Sequence, residues 1–67
     1  MANKIQHDNV ETLRVFFTNE KSFKDFDPVH NVVIELPTCY ILEIDGNNTI
    51  FIERCNVKYV LLMKLKQ

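Results

Sequence analysis

The chain's only glycine, Gly46, lies between two stretches in which apolar and polar residues alternate, and that combination constrains the fold more than any other feature. Cys39 to Asp45 sets Tyr40, Leu42 and Ile44 against Ile41 and Glu43, and Thr49 to Arg54 sets Ile50 and Ile52 against Phe51 and Glu53. A period of two is the signature of a strand with one face buried. The intervening Asp45-Gly46-Asn47-Asn48 supplies residue types that tolerate the positive φ of a tight turn. The spacing predicts an antiparallel hairpin spanning Cys39 to Arg54.

Other segments follow the same period. Leu13, Val15 and Phe17 alternate with Thr12, Arg14, Phe16 and Thr18, which predicts a strand over 12–18. Asn19-Glu20 reads as a turn and Lys21 to Phe26 as a return strand, ended at Asp27-Pro28. Asn31 to Leu36 reads as a further strand, closed by Pro37. In Val57 to Lys66 the odd positions Val57, Tyr59, Leu61, Met63 and Leu65 form an unbroken apolar file, which predicts a last strand with that file inward and Val60 and Leu62 outward, while Val57, Val60, Leu61 and Lys64 at helical spacing make a helix the competing reading. Residues 1–9 show no period and read as a loose arm. Asp8 and Glu11 have the spacing of a capping box, so a short helix over 8–18 with Val10, Leu13 and Phe17 on one face competes with the 12–18 strand. Ala and Gly occur once each, while Val, Ile, Thr, Phe and Tyr make up more than a third of the chain, the strand-favouring set. The expected fold is all-β: a small antiparallel meander curled into an open barrel or a sandwich.

The chain has 67 residues, a formal net charge of -1 and 46% hydrophobic residues. Those values fit one β-rich domain over 1–67 and exclude a disordered chain and the large enzyme architectures. A domain this small buries only about 60% of its unfolded surface, so a supplement to its core is expected. Cys39 and Cys55 are the only cysteines, too few for a disulfide-stapled secreted domain. They read as free thiols in a reducing, cytoplasmic setting, although a hairpin brings their ends of the strands close enough to leave a bridge open. The start of the chain lacks the charged-then-apolar pattern of a signal peptide, and no apolar run reaches the ~20 residues of a membrane span. Self-association is the expected supplement.

The material for catalysis is thin. His7 and His30 fall in a polar arm and a turn, and Glu35, Glu43, Glu53 and Asp45 read as solvent-facing carboxylates. The two cysteines and two histidines lack the close ligand pairs of a zinc site, and one glycine does not make a phosphate loop. No catalytic residue, metal or cofactor is expected. Charge is more informative. Arg54, Lys58, Lys64 and Lys66 close the chain with no acid among them, on an otherwise acidic body. Lysines on an edge strand guard against unwanted pairing, and as a patch they are candidate contacts for an anionic partner. Phe16 and Phe17 face opposite sides of one strand, so Phe16, with Val60 and Leu62, is a candidate apolar interface for another chain.

The run Ile50-Phe51-Ile52 … Asn56-Val57-Lys58-Tyr59-Val60 resembles a pattern in small β proteins of phages and low-GC bacteria, in which a strand ends and N-V-x-Y-[IV] leads into a closing strand. The likeness covers most of residues 12–63. The chain is also similar in plan to the Sm-like barrel, which has an N-terminal helix, five strands and a ring assembly that binds RNA. Neither likeness carries a functional residue across. The first implies a non-enzymatic interaction module, an accessory protein that occupies the surface of a host component; the second implies a nucleic-acid or nucleotide-ligand binder.

Overall fold

A computed structural model describes residues 3–46 and 48–65, and in it every regular element but one single turn is a strand. In chain order these are β1 (Ile5–His7), β2 (Val10–Phe17), β3 (Phe23–Phe26), β4 (Val33–Glu35), β5 (Cys39–Ile44), β6 (Asn48–Glu53), a 3-10 turn (Arg54–Asn56) and β7 (Val57–Lys64). They form two antiparallel sheets, one in the order β1-β4-β5-β6 and one in the order β3-β2-β7, not closed into a barrel. The all-β expectation therefore holds, in its sandwich form.

The hairpin at the single glycine is present as read. Its ladder runs from Cys39 opposite Glu53 to Ile44 opposite Asn48. Asp45 and Gly46 both have positive φ, 53° and 79°, the combination that matches the turn to the twist of its strands. A Cβ on Gly46 would meet nothing within 4 Å, so only the backbone opposes a side chain there. Gly46→Ala is expected to cost about 1 kcal/mol in a urea unfolding titration.

Three connections pass from one sheet to the other, β1–β2, β3–β4 and β6–β7, and two features depart from the expected reading. Residues 1–9 were expected as a loose arm, and a helix over 8–18 was the rival to the 12–18 strand. Instead Ile5–His7 pairs with β4, placing Ile5 opposite Glu35 and His7 opposite Val33. No α-helix occurs among the described residues. The chain then changes sheets within two residues, Asp8-Asn9, and Asn9 takes a φ of 61° to do so. Such a crossing has no period for a sequence pattern to reveal. The second departure is β7, which returns to pair with β2 along its length.

The core lies between the sheets. Val10, Leu13 and Val15 come from β2, Val33 from β4, Tyr40 and Leu42 from β5, and Ile52 from β6. β2 is thus the sole source of fully buried side chains in its sheet. Two bulges tune the β2–β7 ladder. Phe16 pairs with Tyr59 but Phe17 with Val57, leaving Lys58 as an extra residue; Val10 pairs with Lys64 but Thr12 with Met63, leaving Glu11 as another. Each extra residue reverses the alternation. Val57, Val60 and Leu62 consequently all pack on the core. This corrects the expected orientation of the last strand: Val60 and Leu62 point inward, and Tyr59 and Leu61 stand half exposed on the outside.

Candidate interaction surface

The outer face of the three-stranded sheet is built in cross-strand rows. On the first row, Phe16 in the central strand has Phe23 on one side and Tyr59 on the other. The Phe16 and Tyr59 rings stack at 4.3 Å between centroids and 23° between planes; Phe16 and Phe23 meet at 5.5 Å and 57°. Both geometries are favourable for aromatic pairs. Phe23 is 43% exposed and Tyr59 51%, so the row projects into solvent rather than serving a core.

On the second row Arg14 lies between Asp25 and Leu61. Its Nε and Nη2 donate to the two Asp25 carboxylate oxygens at 2.8 and 3.1 Å, and its guanidinium carbon lies 3.8 Å from the centre of the Phe23 ring. The hydrogen bond from Arg14 holds the Asp25 carboxyl below its ordinary value and raises Arg14 in return. On the third row Thr12 lies opposite Met63, and its hydroxyl donates to Asp27 at 2.9 Å. Together the rows make an apolar ledge, chiefly Phe16, Phe23, Tyr59 and Leu61, beside a cation neutralised within the chain. Such a face suits contact with another apolar surface.

The expected cationic patch is more dispersed. Arg54 sits in the 3-10 turn, where Nη1 donates to Glu35 Oε2 at 3.1 Å and to the Leu36 carbonyl at 3.2 Å. Lys58 is the bulge residue at the start of β7. Lys64 is at its far end, about 20 Å along the strand, donating from Nζ to the Asp8 carbonyl at 2.8 Å. Lys66 lies outside the described residues. Of the expected apolar contacts, Phe16 is on the ledge, whereas Val60 and Leu62 belong to the core's margin. Tyr59 and Leu61 were not singled out, because the bulge that turns them outward lies at Lys58, a residue with no distinguishing composition.

The histidines and carboxylates are tied pairwise. His7 Nε2 lies 2.9 Å from Glu35 Oε1, so Glu35 links β1 to Arg54; His30 Nε2 lies 2.8 Å from Glu43 Oε2. Glu35 is therefore a half-buried junction and not the plain solvent-facing carboxylate expected. The thiols of Cys39 and Cys55 are both free. They line one open groove of about 570 Å³ with Pro37, Phe51 and Arg54, and Cys55 Sγ lies 3.6 Å from Glu53 Oε2. No cluster of three or more metal-ligating side chains occurs among the described residues. No helix among them is long and apolar enough to cross a membrane.

The four-stranded sheet has an apolar outer row of its own, Ile34 opposite Ile41 and Ile41 opposite Phe51. Phe51 is 64% exposed, the highest value for a large hydrophobic side chain among the described residues. Beside it, over β4 and β5, lies an open depression of about 330 Å³ lined by His30, Val32, Ile34, Ile41 and Glu43. No family model, curated protein or solved structure matches the chain.

Proposed function

We propose that the chain is a non-enzymatic interaction module that docks a protein partner on the Phe16–Phe23–Tyr59–Leu61 ledge. The observation that carries this reading is the aromatic row across all three strands, with two of its rings about half exposed. Aromatic side chains are the usual anchors of protein interfaces, because they bury large areas with few rotors to freeze. A charge engaged within its own face, as Arg14 is by Asp25, adds little desolvation cost when a partner covers it. The phage-type likeness adds the biological setting: an accessory protein in the cytoplasm of a bacterial host that acts by covering a host component.

The test compares three forms immobilised against a bacterial lysate. Wild type and Phe51→Ser are expected to retain the same discrete protein, and the Phe16→Ser/Tyr59→Ser double variant to lose it. Retention by the double variant, or no specific capture by wild type, overturns the reading.

The same aromatic row also favours a second reading, a platform on which unpaired bases stack. Against it, Asp25 and Asp27 share the face, and Arg14 and Lys64 already have partners within the chain. Fluorescence anisotropy with single-stranded RNA separates the two. Binding at low salt that weakens in Lys58→Ala and Lys64→Ala would favour nucleic acid, and no shift at low salt excludes it.

A further inference from the structure

We infer that the opposite face, the outer side of the four-stranded sheet, pairs with a second copy of this chain by exchanging Phe51 for the depression beside Ile34. This rests on the reading of the chain as an interaction module and assigns its self-association to a surface separate from the partner ledge.

The argument starts from a projection and a recess of matching chemistry on one face. Phe51 is an apolar side chain 64% exposed. The depression of about 330 Å³ is walled by Val32, Ile34 and Ile41, with His30 and Glu43 at its mouth. A closed apolar cavity of about 150 Å³ accepts a benzene molecule, so this recess admits a phenyl ring. The domain does not fill it with its own Phe51. Ile41 lies between Ile34 and Phe51 in the cross-strand row, so Phe51 is two strands, about 10 Å, from Ile34.

That arrangement is self-complementary. A twofold axis running along β5 beside Ile41 carries Phe51 of each copy onto the Ile34 side of the other. Both projections and both recesses are used once, as a closed isologous dimer requires. Sheets stacked this way keep their strands roughly aligned, the common packing of two sheets. The Glu43 carboxylates of the two copies approach at the rim, each within hydrogen-bond distance of its own His30 at 2.8 Å. The face is small: two strands of six residues and two of three cover about 300 Å² per copy, well under half the roughly 800 Å² of a standard interface. The dimer is therefore reversible and concentration-dependent.

Sedimentation equilibrium across a dilution series is expected to show a monomer–dimer equilibrium, weakened about 100-fold or more by Phe51→Ser through loss of two buried rings. Because Phe51 is exposed, the variant should keep the wild-type circular dichroism spectrum and, at dilutions where both are monomers, the wild-type unfolding midpoint. Cross-linking fixes the geometry. With Cys39 and Cys55 both changed to Ser, chains carrying Ile34→Cys mixed with chains carrying Phe51→Cys should form disulfide-linked pairs on mild oxidation, and Phe51→Cys chains alone should not. A mass that does not change with concentration, or self-linking of Phe51→Cys chains in preference to mixed pairs, overturns the inference. The Phe16→Ser/Tyr59→Ser variant should lose the partner yet keep the dimer. If the dimer is absent while capture still depends on Phe16 and Tyr59, the docking reading stands and the dimer inference falls.

Discussion

Leu13→Ala is expected to leave much of the protein unfolded in water at ambient temperature. Leu13 has no exposed surface and sits in β2, the strand that joins β3 to β7 and provides every fully buried side chain of its sheet. Its cross-strand neighbours are Phe26 and Leu62, both packed against the same core. Truncation removes three carbons from a site whose walls are strands held in register, so the space cannot collapse freely. Leucine-to-alanine changes of this kind cost about 3–5 kcal/mol. A 67-residue chain has a total stability of only about 3–10 kcal/mol, so one such change consumes most of the margin. Urea titration by circular dichroism should show a midpoint near zero denaturant, or no folded baseline. Leu61→Ala, one row away on the outer face and 47% exposed, should shift the midpoint only slightly. Similar losses for the two variants would mean that the core is not where the sheets meet.

How legible the molecule is in its sequence depends on whether a feature is local. The β5–β6 hairpin was legible because its turn chemistry and both alternating strands occupy one continuous stretch. The 12–18 strand was legible in its inward file, Leu13, Val15 and Phe17, although it starts two residues earlier and ends one residue sooner. Val10 lies three residues before Leu13 yet faces the same way, because Glu11 is a bulge. The β1 strand was illegible: three residues long and largely exposed, it is defined by pairing with β4 some 28 residues later and not by any pattern of its own. Of the candidate contacts, Phe16 was found by simple parity with Phe17. Tyr59 and Leu61 were assigned inward and Val60 and Leu62 outward, a single phase error that exchanged the two faces of β7. The His7–Glu35–Arg54 junction was missed because its members lie on three elements brought together only by the β1–β4 pairing and the 3-10 turn.

That phase error makes a sharp test of the bulge. Deleting Lys58 should be tolerated, whereas deleting Leu61, three residues further along, should lower the unfolding midpoint. Lys58 is the unpaired residue between the Phe17–Val57 and Phe16–Tyr59 pairs. Without it Val57, Tyr59, Val60, Leu61 and Leu62 follow one another as in, out, in, out, in. A regular strand delivers that order with no bulge, so Val57, Val60 and Leu62 keep their places on the core. The deletion removes only an exposed side chain and a local irregularity, and the unfolding midpoint should stay close to wild type. Deleting Leu61 leaves the bulge in place and advances everything beyond Val60 by one position. Leu62 then moves to the outer face and Met63 takes its place over Leu13, while the closing contacts of Val10 with Lys64 and of the Asn9 carbonyl with the Leu65 amide fall out of register. A one-residue slip exchanges the faces of a strand, and here it puts Met63 in place of Leu62 on the core and shifts every pair that closes the three-stranded sheet. Thermal unfolding of the two deletion variants side by side decides the matter. Comparable loss in both would mean that Lys58 is an ordinary ladder residue. Selective loss in the Leu61 deletion would establish that the bulge absorbs Lys58 and so keeps Tyr59 on the outer face of β7.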